Sequence, residues 1–260
     1  MSDLFPPRSV ADQPLTITTV AERPELADEL YEVRDAWPEF MGHDRLANAL
    51  FFRVQKVFPE FCIVATAPDG TIVARGRSIP FDAERKGREP YPDGGWDTVL
   101  RWGFADRDAG IRPTAASALD IVVDQAFLGR GISPRILTAM REAVARQGLH
   151  TLVAPVRPHA KHRQPHTPMT EYVEQRRDDG LPEDPWLRVH ARAGGRIVKV
   201  APASMVVVGS LAEWRAWTGL PFDLDGDVEV PEALVPVQCN LTHDYAVYVE
   251  PNVWVHHDLR

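Results

Sequence analysis

Apolar and polar residues alternate across residues 15–20, "LTITTV", which predicts a first strand. Next, "RPELADELYEVRDAW" spaces Leu26, Leu30, Val33 and Trp37 helically behind Pro24, and a second helical stretch is expected at 44–57. "FCIVATAPDGTIVARGRSI" reads as a hairpin, two apolar runs joined at Pro-Asp-Gly. Residues 81–116 are polar and rich in Pro, Gly and Asp, with a short helix around "WDTVLRWGFA". A connection of that length suggests a functional loop or lid. "ALDIVV" (118–123) is a nearly unbroken apolar strand, as when both sheet faces are covered. It leads into a helix striped by Ile136, Leu137, Met140 and Val144, then a buried strand at 150–158. A polar loop with one irregular helix follows, and "PWLRVHARAGG" predicts a helix ended by Gly194 or Gly195. "RIVKVAPASMVVVG" is a strand pair or one bent strand, and "LAEWRAWTG" a short helix. Two late strands are expected near 234–240 and 245–250, with "YVEPNVWVHH" as an edge strand bearing a polar rim. The order is mixed α/β around a central strand–helix–strand unit.

The turn inside that unit carries more special residues than a change of direction needs. Gly129 and Gly131 permit dihedrals that a Cβ forbids, Ser133 suits an N-cap, and Pro134 suits the first helical position. Unpaired amides and the positive end of a helix dipole then converge, with Arg130 adding a formal charge. This is an anion site suited to a pyrophosphate. A Walker loop would require a lysine that is absent. A dinucleotide fingerprint would require a third glycine and an earlier place in the chain.

Composition sharpens this. The 260 residues carry a formal net charge of -8, so no global field draws nucleic acid or an anionic membrane, and an anionic ligand must be held locally. Cys62 and Cys239 lie in apolar surroundings and read as buried reduced thiols. The N-terminal "MSDLFPPRSV" lacks a basic segment followed by an apolar run, and no window approaches a membrane span. A cytoplasmic protein without membrane or nucleic-acid partners is expected.

"LGRGIS" (Leu128 to Ser133), within "VVDQAFLGRGIS", resembles the [QR]-x-x-G-x-[GA] signature of the GNAT (GCN5-related N-acetyltransferase) superfamily. The resemblance is strong over 118–157 and looser across 15–209. Leu128 stands where Arg or Gln is usual, and Ser133 where Gly or Ala is. It implies an α/β fold with a mixed, mostly antiparallel twisted sheet, splayed fourth and fifth strands, and flanking helices. One GNAT-like domain would span 1–209 with an insertion at 81–116, completed by the helix and strands of 210–260. It also implies acetyl-CoA or another acyl-CoA as co-substrate and no metal. Pantetheine would pair with the backbone of Ile121, Val122 and Val123, and pyrophosphate with the amides of Leu128, Gly129, Arg130, Gly131, Ile132 and Ser133. The acyl group would enter a cleft between 118–124 and 150–157. A small-molecule amine would attack the thioester directly, and a homodimer is the assembly the family suggests.

The chemistry is harder to place. The family's frequent strand-four base falls at Ser117 or Leu119, neither of which is a base. Asp120 is the neighbouring carboxylate, although a period of two aims it at the opposite face. Tyr172, in the helix after the fifth strand, is the candidate general acid by resemblance. Arg157 and Lys161 suit a basic loop contacting phosphate or substrate. His159, His162 and His166 lack the Cys or carboxylate that would complete a metal set. His190 reads as a core histidine, and Glu250, Asn252 and His256 are candidate acceptor-pocket residues. Beside acyl transfer to an amine, two alternatives stand: a GNAT-fold enzyme with changed chemistry (thioester decarboxylation or O-acylation), or a non-catalytic acyl-CoA-binding module.

Overall fold

The computed structural model describes residues 14–33 and 37–260. The N-terminal reading of "MSDLFPPRSV", and residues 34–36 of the expected first helix, lie outside them. In chain order the elements are β1 (Thr16–Thr19), α1 (Arg45–Leu50), α2 (Val54–Val57), β2 (Cys62–Thr66), β3 (Ile72–Phe81), α3 (Gly95–Asp108) and β4 (Ala115–Val123). They continue as α4 (Ile132–Arg146), β5 (Thr151–Val156), α5 (Met169–Tyr172), α6 (Pro185–Arg192), β6 (Arg196–Gly209), α7 (Leu211–Thr218), β7 (Gly226–Val228), β8 (Val237–Asn240) and β9 (Tyr245–Asp258).

The strands form one mixed sheet in the order β1-β2-β3-β4-β5-β9-β8-β7, with β6 on the other flank of β9. Every pairing is antiparallel except β4–β5. Helix α4 packs on β2–β5 through Ile136 and Met140, close enough that a Cβ on Gly76 would meet both side chains. On the opposite face α3 approaches β3 so closely that a Cβ on Gly103 would lie 2.3 Å from Ile79 Cγ1. The two helices thus seal the two faces of the strand β3, and the apolar runs of β2–β5 are buried between them.

Three expectations are corrected. Residues 24–33 bury Leu26, Leu30 and Val33 as their spacing requires, but they form two short 3-10 turns, Pro24–Leu26 and Glu29–Glu32. The Arg75 guanidinium donates to the carbonyls of Leu30 (2.7 Å) and Val33 (3.2 Å), oxygens an α-helix would spend on its own ladder. The 81–116 segment is no lid: β3 reaches Phe81, and α3 buries Trp96, Val99, Leu100 and Phe104. Its approach loop is tied to α3 by Arg88, which pairs with Asp106 (2.6 Å) and lies over the Trp102 ring. Finally, "YVEPNVWVHH" is no edge. β9 runs for 14 residues between β6 on one flank and β5 and β8 on the other, which is why Val253, Trp254 and Val255 are all buried. β6 is one strand, bent by register shifts at 197–199 and 201–205.

Candidate active site

Two pairs alone, Ala116↔Leu152 and Ser117↔Val153, join β4 to β5. Beyond them β4 stays with β3, while Ala154, Pro155 and Val156 of β5 stay with β9, so the strands fork. Ile121, Val122 and Val123 pair with Gly76, Arg75 and Ala74 on one edge and face the open fork with the other. Unpaired strand edge is a template for an extended ligand with alternating donors and acceptors.

The fork leads into the glycine turn. The Asp124 carboxylate accepts the Ala126 N–H (2.9 Å) and caps a 3-10 turn, Gln125–Phe127. Gly129 (φ +75°) and Gly131 (φ +66°) adopt left-handed backbone, and α4 begins at Ile132 with Gly131 as N-cap. The helix therefore starts two residues before the expected Ser133/Pro134 boundary: left-handed Gly131 turns the chain directly into it. The amides of Ile132 and Ser133 occupy the first turn, where no intrahelical acceptor exists. Arg130 folds over the Phe127 ring and donates to the Ala126 carbonyl (3.0 Å), holding its charge at the turn. Leu128 is exposed.

Three residues singled out from the sequence sit in other surroundings. Asp120 is buried and gripped by Arg77 (3.0 and 2.7 Å) and Arg75 (3.2 Å), which outweigh desolvation and hold its carboxyl below the usual range. A carboxylate so stabilised is a poor proton acceptor. The Tyr172 hydroxyl donates to Asp184 (2.9 Å), whose other oxygen caps α6 by accepting the Trp186 and Leu187 amides. Burial and that carboxylate push the phenol up. The Lys161 ammonium is buried and donates to the carbonyls of Gln164 (2.6 Å), Pro165 (3.3 Å) and Leu234 (2.7 Å). Its three donors are used, leaving none for a phosphate. Burial lowers it to about 8.

A polar cluster that sequence reasoning found only in part lies where α1, α3, β6 and β9 meet. Asp44 caps α1, accepting the Leu46 (2.8 Å) and Ala47 (2.9 Å) amides. Asp97, in the first turn of α3, lies beside it, and Asp44 Oδ2 and Asp97 Oδ1 are buried without a hydrogen-bond partner among the described residues. Burial and its carboxylate neighbours push Asp97 up to about 8, and burial raises Asp44. Glu250 contributes to both shifts. It accepts from Arg157 (2.9 Å), Tyr248 (2.9 Å) and Asn252 (3.0 Å). Asn252 in turn accepts from Ser204 (2.6 Å), whose Oγ accepts the Trp96 amide (2.8 Å). The Trp96 indole donates to the Leu119 carbonyl (2.9 Å), so the network ends at the fork. Glu250 and Asn252 were legible as polar residues inside an apolar strand. Nothing in the sequence sets Asp44 and Asp97 apart, each being a lone carboxylate at a helix start.

Three histidines have packing partners. His190 and His257 hydrogen-bond each other (2.9 Å) in a buried pair, lowered by burial to about 3 and about 4. His256 meets the Tyr91 hydroxyl (3.0 Å). Cys62 and Cys239 are buried and free. Among the described residues no three His, Cys, Asp or Glu side chains gather as a metal site, and no helix is long and apolar enough to cross a membrane.

No family model matches the chain. It is 30% identical to the arginine N-acetyltransferase avaD of Aspergillus versicolor, over 94% of each chain. The chain belongs to the GNAT superfamily. The loading GNATL domain of CurA from Lyngbya majuscula has the same fold, with TM-score 0.59 at 17% identity over 95% of this chain and 97% of that one. So does the GphF GNAT-like decarboxylase in complex with isobutyryl-CoA, with TM-score 0.54 at 19% identity over 95% and 100%. The chain is an acyl-CoA-dependent N-acyltransferase moving a short acyl group to the amine of a small molecule.

Proposed function

We propose that the acyl group is acetyl and that the acceptor is a cationic amine of the arginine class, acetylated in the cytoplasm. One observation carries this reading. Asp44 and Asp97 lie close enough to Glu250 for its charge to raise both carboxyls, and Glu250, paired with Arg157, begins the hydrogen-bonded network that ends at the fork. A guanidinium presents five donors in a planar fork that carboxylates match, and burial strengthens the attraction. The avaD relative, an arginine N-acetyltransferase, supports the same class.

In this reading the pyrophosphate rests on the amides of 128–133 and pantetheine follows the β4 edge at Ile121–Val123. The carboxyl cluster holds the acceptor's cationic end, so that its free amine attacks the thioester carbonyl. The amine nitrogen bonds the carbonyl carbon and loses its proton, the carbon–sulfur bond breaks, and CoA leaves as thiol. β4 amides facing the fork polarise the carbonyl. Asp120, Tyr172 and Lys161 stay outside this set, because each is fully engaged elsewhere.

The test is steady-state release of CoA thiol from acetyl-CoA against arginine, ornithine, lysine and citrulline. Arginine is expected to exceed citrulline, its neutral near-isostere, by about 100-fold in kcat/KM, the order expected for loss of one hydrogen bond to a charged group, up to about 3 kcal/mol. Equal turnover of citrulline would sink the cationic acceptor, and a preference for malonyl-CoA over acetyl-CoA would sink the acetyl assignment.

A further inference from the structure

We propose that Trp96 is a positioning residue for acyl transfer: its indole holds the bulge in β4 at the mouth of the fork. Arg77 lies opposite Asp120 and Ser78 opposite Ala118, so Leu119 is an extra residue in the β3–β4 ladder. A bulge residue is unpaired and re-aims the strand beyond it. This one falls two residues after the last β4–β5 pair, Ser117↔Val153, and two before Ile121. The direction of the Leu119 peptide therefore sets where the β4 amides that face the thioester point.

The Trp96 Nε1–H takes the Leu119 carbonyl at 2.9 Å. Trp96 is itself fixed from several sides. It is buried, its amide donates to Ser204 Oγ, and its ring meets Phe51 edge-on at 5.1 Å, with Phe51 in turn under the Arg77 guanidinium at 3.8 Å. Packing alone would be met by phenylalanine; the indole N–H adds a donor that the strand ladder cannot supply. Ser204 continues through Asn252 to Glu250, so one turn of α3 sets the fork on one side and touches the acceptor network on the other. Small misplacements in such geometry cost far more in turnover than in binding, up to about 100-fold for 1 Å.

The deciding variant is Trp96→Phe in the full chain, assayed with whichever amine the wild type acetylates fastest in the panel above. An inert arginine would overturn the acceptor assignment and leave this test intact. The expected result is a kcat about tenfold lower, with the acetyl-CoA Kd (by titration calorimetry) and the acceptor KM within about twofold of wild type. A merely structural residue would lower the Tm and leave the kcat of the folded protein unchanged, and that outcome overturns the proposal. So does a loss of acetyl-CoA affinity matching the loss in kcat. Should Trp96→Phe not fold, Ser204→Ala frees the Trp96 amide and keeps the indole. It should lower kcat about threefold at unchanged acetyl-CoA Kd, and wild-type kcat in that variant rejects the idea.

Discussion

The two halves of the site are built in opposite ways. On the side proposed for CoA, fork and turn come from one continuous stretch, Ile121 to Ser133, and present backbone: strand-edge groups, two left-handed glycines and the first-turn amides of α4. On the proposed acceptor side, Asp44, Asp97, Glu250 and Arg157 come from four separated segments and present side chains, Asp44 and Glu250 buried, Asp97 and Arg157 half-buried. Backbone donors suit a ligand part common to every acyl-CoA, and they tolerate exchange of side chains such as Leu128 and Ser133. Side-chain carboxyls suit discrimination among acceptors, because one substitution changes charge and shape together. Specificity should therefore be lost by mutation on the acceptor side and affinity for CoA by backbone strain on the other.

The largest expected effect lies between the halves. Asp120→Ala leaves Arg77 and Arg75 without the carboxylate they grip, and should cost about 3–5 kcal/mol in urea denaturation. Wild-type stability with lost turnover would instead return Asp120 to the chemistry.

Next, Asp97→Asn should weaken arginine binding about 100-fold with acetyl-CoA Kd unchanged, read by calorimetry; loss of CoA affinity instead would erase the distinction between the halves. The same residue predicts a pH dependence. Its carboxyl is raised to about 8, so it is protonated below that pH and becomes a cation partner only as pH rises. Arginine Kd should fall by up to about tenfold per pH unit between 6 and 8, and the slope should vanish in Asp97→Asn. Linkage for stability runs the opposite way. A carboxyl raised on folding stabilises fully below its unfolded pKa, and the contribution is lost as pH rises from about 4 to about 8.

Gly131→Ala is a smaller perturbation. Its Cβ meets nothing within 4 Å, so the cost is the left-handed dihedral, about 1–2 kcal/mol. It should appear as acetyl-CoA affinity about tenfold weaker, with the preference for arginine over citrulline intact. Tyr172→Phe is the mildest: loss of the bond to Asp184 should lower stability by about 1 kcal/mol in thermal unfolding and leave kcat unchanged. A kcat lowered at constant stability would restore the phenol as the acid.

Much of this was legible because it is local. A strand, two glycines and a striped helix within Ala118–Val144 follow from dihedral limits and side-chain period, and they carried the family resemblance as well. The helix of α3 was legible, but its burial was not, since that depends on β3 reaching Phe81 and on Gly103 admitting close contact. The 24–33 segment failed as a helix because a residue some 45 positions away, Arg75, takes its carbonyls.

By itself the sequence determined the α/β class, the glycine turn into α4 and the acyl-CoA reading, because these rest on neighbours in the chain and on backbone geometry. Tertiary structure alone decided the rest. It placed β9 in the middle of the sheet, closed Asp120 between two arginines, spent Lys161 on carbonyls, and brought Asp44 and Asp97 together beside Glu250. A carboxylate's role depends on what desolvates it and what faces it, and both are set by residues that only the folded chain makes neighbours.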